Sequence, residues 1–94
     1  MEQTYKLQDS VTVLGKRWNL EQSNEIPKKN MADCDPPWKT GKTIRIREGL
    51  DARLAFRCLI HEMTHCAFWF MDEDFVERFA EDVEREAARN GFLK

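Results

Sequence analysis

Two kinds of hydrophobic pattern divide the chain near residue 50. Before it, apolar residues come in short runs or in alternation. Val11–Leu14 and Arg17–Leu20 flank Gly15-Lys16, a pattern that predicts a β-hairpin or one bent strand. Tyr5–Leu7 predicts an additional edge strand. The stretch Asn24–Lys42 holds Pro27, Pro36, Pro37 and Gly41 with no periodicity, which predicts a long loop of the kind that often carries function. Thr43–Arg47 then alternates polar and apolar residues between Gly41 and Gly49, which predicts a half-exposed strand.

From Asp51 the spacing turns helical. Asp51 is a suitable N-cap. Leu54, Phe56, Cys58, Leu59, Ile60, Met63, Ala67, Phe68 and Phe70 predict a nearly all-apolar helix reaching about Met71. A helix apolar on most sides is expected to be central and buried. Asp72-Glu73-Asp74 interrupts it with the acidic residues that favour a new helix start. Phe75, Val76, Phe79, Ala80, Val83 and Ala87 then share one face, and Asn90-Gly91 is a stop signal. The expectation is an α+β fold: a short N-terminal sheet, hairpin plus edge strand, packed on two helices.

Composition narrows the class. Ninety-four residues predict one domain, 1–94, without room for a separate cofactor domain. The net charge of −2 argues against a nucleic-acid coat. Residues 1–57 carry 11 basic and 8 acidic side chains, and residues 58–94 carry 4 and 9, as expected of helix faces solvated by glutamate. No apolar run approaches a membrane span, and the first ten residues lack a signal-peptide core. The three cysteines, Cys34, Cys58 and Cys66, are too few for a disulfide framework. A cytoplasmic monomer with reduced thiols is expected.

One motif stands out. His61-Glu62-Met63-Thr64-His65 reads H-E-x-x-H, and it contains both histidines of the chain. Positions i and i+4 lie on one helix face, so two imidazoles can reach one ion. Glu62 is turned about 100° from His61, which sets its carboxylate beside the ion's open coordination position. Catalytic zinc takes three protein ligands and leaves the fourth position for water. Chance produces this pattern in well under about 1% of chains of this length. Two core histidines satisfied by backbone or water are the alternative. The motif makes Zn2+ the expected cofactor, with Glu62 as general base.

The second helix offers candidates for the third ligand. Taking the face centre from Phe75, Val76, Phe79, Ala80 and Val83, Glu77 lies about 120° away, and Glu81 points almost opposite. Glu73 stands close to the turn and Glu84 far along the helix. Glu77 is the expected ligand, with Glu73, Glu81 and Glu84 as rivals.

The motif followed after 11 residues by Glu77 resembles the core of gluzincin-type zinc peptidases. With the preceding strand and Val76–Ala80, residues 31–91 resemble compact members of the minigluzincin and ImmA/IrrE-like kind, including short phage-encoded metallopeptidases. The resemblance implies a zincin-like fold and a glutamate third ligand. It also implies a positioning role for the acidic residue four positions on, here Glu81. The strand before the motif helix would form the cleft rim, where an extended peptide could pair with Thr43–Arg47; Arg45 and Arg47 share one side of it, as expected of a solvated strand face, with acidic substrate residues as the alternative partner. The chain departs from the pattern in having Thr64 where glycine is frequent. It also has no third histidine and only Tyr5 as tyrosine, which leaves Arg57, Arg45 or Lys42 as oxyanion donors.

The expected function is a zinc-dependent endopeptidase acting on a protein or peptide. The rival is a non-catalytic, metal-stabilised regulatory or partner-binding domain. A DNA-associated protease is a third reading, disfavoured by charge. Cys34, in a turn rich in Asp and Pro, is either a turn residue or a thiol able to cap the ion. Cys58 and Cys66 are expected core thiols. Of three tryptophans expected to pack, Trp38 is the best candidate for an exposed site.

Overall fold

The computed structural model describes residues 5–93. Strands β1 (Ser10–Val13) and β2 (Lys16–Gln22) form the antiparallel hairpin. Leu14 and Gly15, at φ 49° and 76°, give the two positive φ angles of the tight turn whose twist matches a hairpin. Two further strands, β3 (Ala32–Cys34) and β4 (Thr43–Ile46), complete a sheet ordered β1-β2-β4-β3. The β2–β4 pair is parallel and the others are antiparallel. Helices α1 (Ala52–Ala67) and α2 (Glu73–Arg89) follow. The fold is α+β, as expected.

The sheet departs from expectation in two places. Tyr5–Leu7 is not a strand; the Tyr5 hydroxyl donates to the Leu50 carbonyl at 2.9 Å, and Leu7 packs on the core. The Asn24–Lys42 stretch contains β3, so Thr43–Ile46 is an interior strand and not the rim. The cause is charge pairing across the two strands. Arg45 donates to Asp33 at 2.8 Å and to Asp35 at 2.7 Å. Arg47 donates to the carbonyls of Ile26, Pro27 and Asn30 at 2.8–3.2 Å. Both arginines are consumed in holding the proline-rich segment onto β4, and neither is offered to a substrate.

Alternation in the strands sends Trp18, Leu20, Ile44 and Ile46 to one sheet face, where they meet Cys58 and Cys66 of α1 in the core. The Asp51 side chain caps α1 by accepting from the Leu54 amide at 2.9 Å. The helix ends at Ala67, four residues before the expected stop. The Phe68 amide bonds back to Thr64, and Met71 closes a turn onto the Phe68 carbonyl. Phe68 and Phe70 are therefore exposed, Phe70 at 91%, and do not extend a buried helix.

Asp72 caps α2 through the Phe75 amide at 3.0 Å. At the other end the Gly91 and Phe92 amides return to the Ala88 and Ala87 carbonyls, with Gly91 at positive φ, the Schellman arrangement. The buried residues of α2 are Val76, Ala80 and Glu84, whereas Phe75 and Phe79 are 55% and 46% exposed. The inner face is thus centred near Ala80. On that axis Glu73 lies about 20° from the centre and Glu77 about 60°, while Phe75 lies about 140° away.

Candidate metal centre

The two helices are antiparallel neighbours joined by a short turn. On α1, residues 53, 57, 61 and 65 form one i, i+4 ridge, Arg53, Arg57, His61 and His65, facing α2. The acids of α2 meet that ridge in reverse order, Glu84 against the arginines, then Glu77 and Glu73 against the histidines.

At the histidine end, the Nε2 atoms of His61 and His65 lie 3.2 Å apart. One Glu73 oxygen is 2.9 Å from His61 Nε2, and the other is 2.7 Å from His65 Nε2. Tetrahedral zinc, with bonds of about 2.0–2.1 Å, spaces its ligand atoms about 3.3 Å apart. Taking one atom from each residue, the three donors lie within 4.8 Å of one another, and two imidazoles with one carboxylate is a donor set used by open catalytic zinc sites. These residues could hold a divalent metal ion.

Glu77, the expected third ligand, is placed elsewhere. Its carboxylate lies 2.9 Å from His61 Nδ1, on the far side of the ring from Glu73. A carboxylate there accepts the Nδ1 proton and leaves Nε2 with its lone pair free for an ion. Glu73 takes the position expected of Glu77, because the inner face of α2 is set by Val76 and Ala80 and not by the two phenylalanines. The spacing Val76, Ala80, Glu84, Ala87 was the available signal. Neither Glu81 nor Glu84 joins the three-donor group. Glu84, 4% exposed, accepts from Arg53 and Arg57, the latter at 2.9 and 3.1 Å, and these bonds hold its carboxyl below the usual carboxylate range.

Glu62 points away from α2 toward the sheet. It is 7% exposed, and burial pushes its carboxyl up to about 7, with the His61 charge and a Cys34 hydrogen bond opposing. One Glu62 oxygen lies 4.0 Å from His61 Nε2. A carboxyl poised near neutrality beside three potential ligands suits proton transfer.

Two cavities open on these groups and share Asn30, Ala32, His61, Glu62 and Glu73. The smaller, about 180 Å³, continues toward Lys29 and Arg57. The larger, about 650 Å³, continues past Cys34 and His65 to Trp69 and Met71. Of the three cations considered as oxyanion donors, Arg57 alone lines either cavity. Arg45 is spent on Asp33 and Asp35, and the Lys42 ammonium sits 5.5 Å over the Trp18 ring. Cys34 belongs to β3 and not to a free turn. A hydrogen bond with Cys66, together with burial, pushes its thiol well above the usual range. Burial likewise raises Cys58 to about 11, consistent with an inert core thiol.

Among the described residues no helix is long and apolar enough to cross a membrane. No protein family, curated protein or solved structure matches the chain.

Proposed function

We propose that the chain is a zinc-dependent endopeptidase acting on a polypeptide, with zinc held by His61, His65 and Glu73. The observation that carries this reading is the convergence of three donors on one face of the helix pair, with a buried carboxyl of raised pKa on the adjacent residue. When bound, zinc polarises the scissile carbonyl and makes a water acidic enough to attack at neutral pH. Glu62 takes the proton from that water and returns it to the leaving amine. Glu77 keeps His61 in the tautomer that presents Nε2.

The substrate would lie along β3. Asp33 is the hydrogen-bonded partner of Arg45, with Met31 and Asp35 bonded to Arg47 and Thr43 on either side. By antiparallel alternation, the backbone groups of Ala32 and Cys34 turn outward at the sheet edge. An extended peptide pairing there runs beside the cluster. Strand addition thus moves from Thr43–Arg47, as the resemblance implied, to Ala32–Cys34.

The test is elemental analysis of tag-free protein followed by cleavage of unfolded protein substrates. We expect about one zinc per chain, lost in His65→Ala; the assay reads iron and manganese alongside, since the same donors accept them. Glu62→Gln should keep the zinc and lose activity by about 10²–10⁴-fold. A zinc-loaded protein that cleaves nothing, or whose cleavage survives Glu62→Gln, would replace the peptidase by a metal-stabilised binding domain.

A further inference from the structure

A group of exposed aromatic residues adjoins the larger cavity through Trp69. Trp38 and Phe70 are 68% and 91% exposed, yet they are ordered against each other. Their rings stack at 6.4 Å with a 24° interplanar angle, and Trp38 meets Trp69 edge-on at 5.5 Å. The three rings come from two separate turns, one after β3 and one between the helices. Trp69 also walls the larger cavity beside His65 and Glu73.

The turn bearing Trp38 is fixed from within. Pro36 and Pro37 precede the tryptophan and restrict the backbone, and the Lys39 amide closes the turn on the Pro36 carbonyl at 3.1 Å. Asp35, nearly buried, anchors its start by accepting from the Thr43 amide at 3.0 Å and from Arg45 at 2.7 Å. A part-buried ion pair thus anchors the turn that holds a large ring in water. Exposed aromatics in a contiguous patch mark a contact surface.

What fits the patch follows from its borders. The patch continues into the cleft from β3 through Trp69, so a chain paired with β3 passes over it. The acids nearby are already engaged, Asp33 by Arg45 and Glu73 by the two histidines. Lys39 beside Trp38 is paired with Asp35 at 3.4 Å, and the three ring faces favour an apolar side chain.

We infer that Trp38, Trp69 and Phe70 form a specificity shelf that receives a bulky apolar side chain, aromatic or leucine-sized, of the polypeptide lying along β3. This rests on the reading of the cleft as a polypeptide site. It adds which sequences are taken, and it assigns Trp38 and Phe70 to recognition of the substrate and not to the reaction.

The test uses the zinc-loaded full chain carrying Glu62→Gln. The probes are short fluorescein-labelled Ser/Thr/Gln peptides that differ at one central position, Phe, Leu, Ala or Glu, and binding is read by anisotropy. Phe and Leu probes should bind about 10-fold or more tighter than the Ala and Glu probes, as for a buried aromatic anchor. Trp38→Ala, and Phe70→Ala separately, should shrink that preference to within about 3-fold while leaving zinc content and the far-ultraviolet spectrum unchanged. An unchanged preference in both folded variants overturns the inference. So does a concentration-dependent dimer that Trp38→Ala converts to monomer, since the patch would then serve a second copy. Preferential binding with no cleavage by the wild type sinks the peptidase and keeps the shelf. Cleavage indifferent to the central residue does the reverse.

Discussion

The seam between α1 and α2 has two ends built from the same parts and left in different states. At one end Glu84 meets Arg53 and Arg57; at the other Glu73 and Glu77 meet His61 and His65. Each end sets carboxylates of α2 against a nitrogen ridge of α1 at i, i+4 spacing. Arginine is charged at every accessible pH, so the Glu84 end is electrically complete and serves as a clasp. Imidazole can give up its proton and present a lone pair, so the Glu73 end gathers carboxylates around two such rings and is complete with a proton or a cation. An acid facing a permanent cation is a structural contact. The same acid facing a neutral imidazole is a site with a place for an ion.

That contrast makes predictions of graded size. The largest concerns Glu73. Glu73→Gln should weaken zinc binding by more than the roughly 10–100-fold that follows loss of an outer partner, with little effect on the apo protein's melting. Competition with a zinc chelator reads it. Equal affinity in the variant would return the third ligand to Glu77 and erase the difference between the two acids.

Glu84→Gln should do the opposite. It leaves two guanidiniums without their carboxylate and should cost the apo protein about 2 kcal/mol, less than a fully buried pair because Arg53 is half exposed. Zinc stoichiometry should stay the same. Urea unfolding measures the loss, and a variant as stable as wild type would mean that the clasp is ornamental. Glu77→Gln is the intermediate case, with zinc affinity down by about 10-fold through His61 orientation.

The smallest effect is a pH slope. The Glu84 carboxyl is held below its unfolded value by Arg57 and Arg53. Its contribution is therefore full above the ordinary carboxylate pKa of about 4.3 and is lost as pH falls through the lower folded value. Apo wild type should lose stability on acidification below about pH 4–5, and Glu84→Gln should flatten part of that loss. Asp35, lowered in the same direction by Arg45 and Thr43 against its own burial, adds to the loss, while Glu62, raised by burial, works in the opposite sense.

These two ends were unequally legible in the sequence. The histidine pair is readable because its spacing alone states a geometry. The arginines at 53 and 57 continue the same i, i+4 series, so the whole ridge was visible once the motif was taken as its end. The acids were not, because large side chains dominate any estimate of a helix's inner face. Phe75 and Phe79 tilted that estimate away from Glu73, yet they are exposed, and small Val76 and Ala80 make the close contact. β3 was hidden differently. Three residues in a proline-rich stretch carry no strand signal of their own, and the strand exists because Arg45 and Arg47 hold it. Asp33-Cys34-Asp35 and Arg45-Ile46-Arg47 are alternating charges of opposite sign, the one trace of that pairing in the sequence. The hairpin, the Asp51 cap, the acidic start of α2 and the C-terminal stop rest on local chemistry and were read from it.

The short turn between the helices has a consequence for how the centre forms. All three donors fall between residues 61 and 73, so bringing them together closes only a small loop, and loop-closure entropy is low for so short a segment. The helical hairpin can gather an ion with little help from the rest of the chain. Glu62 differs: its desolvation comes from the other side, where Ala32 and Cys34 of β3 close over it, and β3 is held by contacts distant in sequence. On the proposed reading, affinity for an ion would thus be a local property of the chain, whereas the raised pKa of Glu62 would depend on the sheet packed beside it.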